Sequence, residues 1–239
     1  MGYTNSSLAV YKKLSPNHSG QRTHAIDRIT PHCVVGQGSA ESICKGFASR
    51  LRRASCNYAI GADGQVGLCV EEKNRSWCSS SRANDQRAVT IECASDKTAP
   101  YAMTGAVYRS LVELCTDICR RNGKKKLLWL GNKETALQYA PKADEMILTV
   151  HRWFARKSCP GDWLYSRLGD LAGQVTAKLG GAETTAAPVS PQKSLTAVAK
   201  EVLAGKWGVG SERRTRLAAA GYDYATVQQE VNRLWKESH

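Results

Sequence analysis

Ala88-Val89-Thr90-Ile91-Glu92-Cys93 is the stretch on which the fold turns. Its residues alternate, so Val89, Ile91 and Cys93 share one face of a strand while Thr90 and Glu92 share the other. Upstream, Tyr58 to Val70 reads as a hairpin with Asp63-Gly64 as its turn. Ser39 is placed to cap a helix reaching about Arg50, and Ala25 to Val35 reads as a strand ending near His32. Downstream, Val107, Leu111, Leu114, Cys115 and Ile118 recur at helical spacing, and Asn122-Gly123 ends that helix. Two short apolar strands follow, Leu127 to Leu130 and Met146 to Val150, the second leading into His151. Strands interleaved with helices predict an α/β fold.

The chain has 239 residues, room for one large domain or a domain with a small module. Its apolar content of 42% suffices for a core, and its net charge of +13 favours an anionic partner: nucleic acid, a membrane surface or a phosphate-rich bacterial wall. Nine cysteines, an odd number with no paired spacings, several inside apolar runs, suggest free thiols and a reducing compartment rather than a disulfide framework. The first residues lack the basic and apolar regions of a signal peptide. No run approaches the roughly 20 apolar residues of a membrane span.

Composition shifts near residue 180. Gly180 to Pro191 is small, polar and proline-bearing, and predicts a linker over 180–192 between a unit at 1–179 and another at 193–239. The second unit shows three short helical patterns. Leu195, Val198, Ala199, Val202 and Leu203 form the first, capped by Ser194 and stopped by Gly205. The next runs from about Glu212 to Ala219 and ends at Gly221, and the last carries Val227, Val231, Leu234 and Trp235. They predict a small three-helix bundle with a marginal core.

Chemistry concentrates at strand ends. Two of the five histidines, His32 and His151, end predicted strands, and Cys159 follows His151 by eight residues. Two imidazoles and a thiolate suit Zn²⁺, and a fourth position left to water would make the site catalytic. Chance also produces that spacing, so the residues alone leave the zinc reading open beside ordinary satisfied histidines.

The order His32, Glu92, His151, Lys157, Cys159 resembles the type-2 N-acetylmuramoyl-L-alanine amidases, the phage lysozyme-type enzymes related to peptidoglycan recognition proteins. Four segments carry the resemblance over roughly 20–170: Ile29-Thr30-Pro31-His32-Cys33, Cys56-Asn57-Tyr58-Ala59-Ile60, Ala88 to Cys93, and His151 to Asp162. It implies a mixed β-sheet flanked by helices, with Zn²⁺ held by His32, His151 and Cys159 in a groove. It also implies hydrolysis of the bond between the lactyl group of N-acetylmuramic acid and the L-alanine of the stem peptide. Glu92 would move protons between water and leaving amine. Lys157 would stabilise the oxyanion. Tyr58 matches a tyrosine that some members use near zinc, with plain strand packing as the alternative. Trp77 would line the substrate groove or pack in the core; Trp153 and Trp163 would brace the ligand loop. Pro31 departs from the family, which usually has a β-branched or aliphatic residue there. Proline donates no N–H, so sheet pairing around it is in doubt. His18, His24 and His239 call for no special role.

Ser194 to Trp235 resembles the CW-seven wall-binding repeat of phage lysins through Val198-Ala199-Lys200-Glu201-Val202, Gly205 to Gly210, Arg213, Ala220 to Tyr224, Val227-Gln228 and Val231-Asn232. That implies binding to muropeptide, with Trp207 and Tyr222 as core or turn anchors and Arg213 as a candidate for a ligand carboxylate. A single copy binds weakly, so avidity would come from a homo-oligomer or from the catalytic unit's own grip. Together the resemblances imply an endolysin that stays in the host cytoplasm until lysis and then acts on the wall, without inserting in a membrane. A non-catalytic recognition module is the alternative, but its usual sign is a lost thiolate ligand, and Cys159 is present. Charge alone supports a nucleic-acid partner, and no groove-binding or base-stacking motif accompanies it, so none is expected.

Overall fold

Thr30 and Thr90 show why the central strands take their positions. Both are polar, both are fully buried, and both lie two residues before a candidate site residue. The computed structural model, which describes residues 3–180, 195–219, 222 and 224–238, resolves this. In chain order the first unit runs β1 (Ala9–Lys12), β2 (His18–Gln21), β3 (Arg28–Cys33), α1 (Ala40–Ala48), β4 (Tyr58–Ile60), β5 (Val66–Leu68), β6 (Asn74–Ser76), α2 (Arg82–Arg87) and β7 (Ala88–Cys93). It continues with α3 (Gly105–Arg121), β8 (Lys126–Leu128), α4 (Lys133–Gln138), β9 (Glu145–Leu148), α5 (Asp162–Tyr165) and α6 (Leu168–Lys178).

Seven strands form a mixed sheet in the order β1-β5-β4-β7-β3-β9-β8, and β2 pairs with β6 apart from it. Only β4 and β5 are antiparallel within the large sheet, joined by the expected turn with Gly64 at φ +88°. β3 and β7 pair in parallel along their whole length, setting His32 beside Glu92. Ala59 pairs with Glu92 and Gly67 with Ala59, so Gly67, Ala59, Glu92 and His32 form one row across four strands. The small end of that row admits α1: a Cβ on Gly67 would lie 2.6 Å from Cys44 Sγ. The opposite face, with Val89 and Ile91, is covered by α3, whose Val107, Leu111, Leu114, Cys115 and Ile118 are buried as their spacing predicted.

Pro31 sits on an interior strand without breaking it. Ile29 accepts from Thr149 N, so Ile29 and Pro31 direct their backbone groups toward β9, and β9 pairing stops at Ile29. The missing N–H therefore falls where the ladder needs no donor. Strands β1, β2 and β6 and helices α2, α4, α5 and α6 have no counterpart in the sequence reading. The expected linker beyond Gly180, the Ser194 cap and the Gly221 stop lie outside the described residues.

The chain divides into two compact units, Met1–Glu183 and Thr184–His239. The second contains α7 (Leu195–Leu203), α8 (Gly210–Ala219) and α9 (Tyr224–Ser238). Val198, Ala199, Val202, Leu217, Val227 and Val231 form its core, with Trp207 and Tyr222 packed edge to face against it. Gly205, at φ +74°, follows the first of these helices.

Candidate active site

His32 leaves β3 into the interior, 1% exposed, and Glu92 stands beside it on β7. His151 opens a single 3₁₀ turn, His151–Trp153, just beyond β9. Parallel pairing of β3 with both β7 and β9 brings the three strand ends to one edge of the sheet. The chain then returns Cys159 to that edge, its Sγ 3.2 Å from His32 Nδ1. The His32 and His151 rings meet at 5.0 Å between centroids, and one ligand atom each from His32, His151 and Cys159 lies within 4.8 Å of the others.

A buried asparagine aligns the two histidine-bearing strands. Asn84 Nδ2 donates to Thr30 Oγ1 at 3.0 Å, and its Oδ1 accepts from Thr149 Oγ1 at 3.0 Å. The two threonine hydroxyls meet at 2.8 Å. Each threonine precedes a histidine by two residues, so this triangle lies directly beneath His32 and His151. Thr90, beneath Glu92, is held by Ser76 Oγ and Asn57 Oδ1. The face that alternation marked as polar is thus a buried, hydrogen-bonded floor rather than a solvated surface.

The loop after β6 supplies a second set of contacts. Asp85 accepts from Cys78 N and Ser79 N, pinning the loop. Ser80, at φ +62°, a conformation uncommon for a residue with a side chain, sets its Oγ 2.9 Å from His151 Nε2. That contact leaves Nδ1 of His151 free to act as a ligand. Cys78 Sγ lies 3.8 Å from Glu92 Oε1.

Burial shapes the electrostatics. His32 is pushed down to about 3 by desolvation and then by His151, so its imidazole is neutral at neutral pH. His151 is also lowered, by burial and then by the positive charge of Lys157, which stands exposed nearby. Burial pushes Glu92 up to about 7, against the pull of Arg52 and a hydrogen bond from Cys78. The Cys159 thiol is raised by its hydrogen bond with Cys33 and by burial.

The residues fit a zinc ion. A tetrahedral Zn²⁺ with S and N ligands separates them by about 3.5 Å, close to the Cys159–His32 contact of 3.2 Å. Neutral imidazoles, with a thiol that the charge of a bound ion would deprotonate, are the donor set zinc takes. His32 Nε2 and Glu92 Oε2 are buried without a hydrogen-bond partner, which marks a polar cluster lacking a component.

Tyr58 corrects one expectation. It pairs with Ile91, not Glu92, so its side chain leaves the opposite face of the sheet. Its hydroxyl donates to Glu72 Oε1 at 2.6 Å and accepts from Ser6 N at 2.7 Å, in a cluster closed by Arg121 on Glu72 at 2.6 Å. Glu72 is 1% exposed. Arg121→Ala is therefore expected to cost about 3–5 kcal/mol in denaturant unfolding, because it strands a buried carboxylate. Tyr58→Phe should leave turnover within about twofold, the change expected of a residue outside the transition state; a large fall in turnover at unchanged stability would return it to the site.

Trp77 is 37% exposed, its indole N–H donating to Ser19 Oγ at 2.6 Å. Trp153 is buried and stacks on Trp129 at 5.1 Å. Arg213 donates to Gly208 O and Gln228 Oε1 within the second unit. Sequence reasoning missed Ser80, Cys78 and Asn84. The serine-rich loop following Trp77 was the only signal for them.

Comparison with known proteins gives the family of the chain. The family described as N-acetylmuramoyl-L-alanine amidase matches residues 22–162, and the CW_7 repeat matches residues 196–235. The lysozyme of Streptococcus phage Cp-7 is 57% identical over 42 residues, 18% of this chain, and the chain spans 12% of that protein's length. Among solved structures, PlyL is similar at 15% identity and a TM-score of 0.49, over 70% of this chain and 96% of that one. The endolysin amidase LysCS from Clostridium intestinale URNW is similar at 13% identity and a TM-score of 0.43, over 73% and 98%. With more than half of its length matched, this chain belongs to the N-acetylmuramoyl-L-alanine amidase family.

Proposed function

We propose that the protein is a zinc-dependent endolysin amidase that hydrolyses the bond between N-acetylmuramic acid and L-alanine in peptidoglycan. The observation that carries this is the convergence of His32, His151 and Cys159 beside Glu92 in a chain of this family. His32, His151 and Cys159 would hold the ion, which when bound supplies Lewis acidity to the scissile carbonyl and to water. Glu92 takes the proton of the attacking water on its carboxylate and returns it to the leaving amine nitrogen. Lys157, exposed and close enough for its charge to act on His151, is assigned to the developing oxyanion. Ser80 fixes the ring of His151, and Asn84 fixes the strands that carry both histidines.

The second unit would hold the enzyme on wall muropeptide, with a positive chain drawn to anionic wall polymers. Arg213 and Trp77 remain the candidate substrate contacts. We place it in the host cytoplasm until lysis and its action at the wall afterwards. No helix among the described residues is long and apolar enough to cross a membrane.

Mass spectrometry of digested Gram-positive walls tests the bond cut. Free stem peptides beginning at L-alanine, abolished by chelator and restored by Zn²⁺, are expected; new glycan reducing ends, or chelator-insensitive release, would overturn the assignment. In the same assay a 1–180 fragment should cut soluble muropeptide as the full chain does but lyse intact walls more slowly, because tethering raises local concentration. Equal lysis would remove the targeting role from the second unit.

A further inference from the structure

Cys78 has no task in the reading above, yet it belongs to the same cluster. His32, Cys78 and Glu92 bring one ligand atom each within 4.8 Å of one another, a group that shares only His32 with the first. Cys78 Sγ lies 3.8 Å from Glu92 Oε1. Nδ1 of His32 faces Cys159, which leaves its other nitrogen, Nε2, over. That nitrogen and Glu92 Oε2 are both sealed from solvent and lack any hydrogen-bond partner. Unpaired buried polar atoms are unfavourable; a cation between them relieves the carboxylate oxygen, and relieves Nε2 once that nitrogen gives up its proton, since Nδ1 is committed to the first position. A thiolate, a carboxylate and an imidazole select soft or borderline divalent ions such as Zn²⁺, Co²⁺ and Cd²⁺ over Mg²⁺ and Ca²⁺.

We propose that Cys78, Glu92 and His32 form a second, weaker divalent-metal position beside the first, and that a second Zn²⁺ there inhibits the enzyme by occupying the carboxylate of Glu92. The inhibition rests on the role given to Glu92 above; the metal position does not. Binding forms a sulfur–metal bond, a carboxylate–metal bond and a nitrogen–metal bond at His32 Nε2; the Cys78 thiol and the Nε2–H of His32 each release one proton to solvent, so that the ring bridges the two positions as imidazolate, and no electrons are transferred. It is weaker than the first position because it must share His32 and compete with a hydrogen bond already made between Cys78 and Glu92.

Cobalt titration of the full-length, chelator-stripped protein tests this, since the sulfur-to-cobalt charge-transfer band counts thiolate ligands. The first equivalent should give the band of one thiolate, Cys159, and the second equivalent should double it. In parallel, turnover on walls should rise with the first equivalent of Zn²⁺ and fall at least tenfold as the second binds. Cys78→Ser should keep the first band and lose both the second band and the zinc inhibition. A second band that survives Cys78→Ser, or inhibition that survives it, overturns the proposal. If that variant does not fold, the wild-type titration still decides, because a band that stops at one thiolate overturns it equally. Absence of the first band would instead overturn the assignment of Cys159.

Discussion

Cys159→Ser is expected to emerge without bound zinc and to lose stem-peptide release by on the order of 10³-fold, the scale on which a principal electrostatic stabiliser acts. The reason lies in the donor set. His32 is neutral and buried, His151 is steadied by Ser80, and only Cys159 brings the negative charge that offsets a divalent ion among the three. A serine hydroxyl keeps the volume but does not ionise near neutral pH, so affinity falls along with turnover. The measurement is metal content by elemental analysis alongside product release, with the unfolding midpoint of the chelator-treated proteins as a control. Wild type and variant should unfold alike once both are stripped, because the thiol makes no structural contact that a hydroxyl cannot replace. A variant that retains one zinc per chain and full turnover removes Cys159 from the ligand set.

Glu92→Gln should separate binding from chemistry. Zinc content is expected to stay at the wild-type level while turnover falls about 10²–10⁴-fold, the usual contribution of a positioned proton-transfer group. The amide keeps the shape and the contact with Cys78 but cannot accept the proton of water. The substitution also has a signature in the metal-free protein. Burial lifts this carboxyl from its ordinary 4.5 to about 7, so the folded state binds its proton more tightly than the unfolded state does. Its stabilising contribution is then fully present below about 4.5 and is lost as pH rises through about 7. The denaturation midpoint of chelator-stripped wild type should decline over that window, and that of Glu92→Gln should decline less and lie higher at pH 8. A bound cation favours the ionised carboxylate and should flatten the wild-type profile. Equal slopes for the two stripped proteins would show that Glu92 is not the group under strain.

Much of this site was legible because alternation and order survive folding. The alternation at Ala88 to Cys93 correctly separated Ile91 from Glu92, and the helical spacing from Val107 to Ile118 gave the covering helix. The two readings of Tyr58 stayed open for want of register: only the pairing with Ile91 decides which face it leaves. Short polar strands such as β2 and β6 carry no apolar period, so nothing in His18–Gln21 or Asn74–Ser76 announced them. Asn84, Ser80 and Cys78 were hidden for a different reason. Their partners lie 54, 71 and 14 residues away, and no local pattern encodes a contact made by tertiary geometry.

The asparagine beneath the two histidines also sets a timetable. Its partners span the chain from Thr30 to Thr149, and the two threonines that meet there are 119 residues apart. Contacts of such separation close late, after most loop entropy has been lost. During synthesis the ligand geometry cannot exist until the polypeptide beyond His151 has emerged, and no shorter stretch can assemble it. Metal capture by the proposed ligands would therefore report completed folding of the first unit rather than an early nucleus of it.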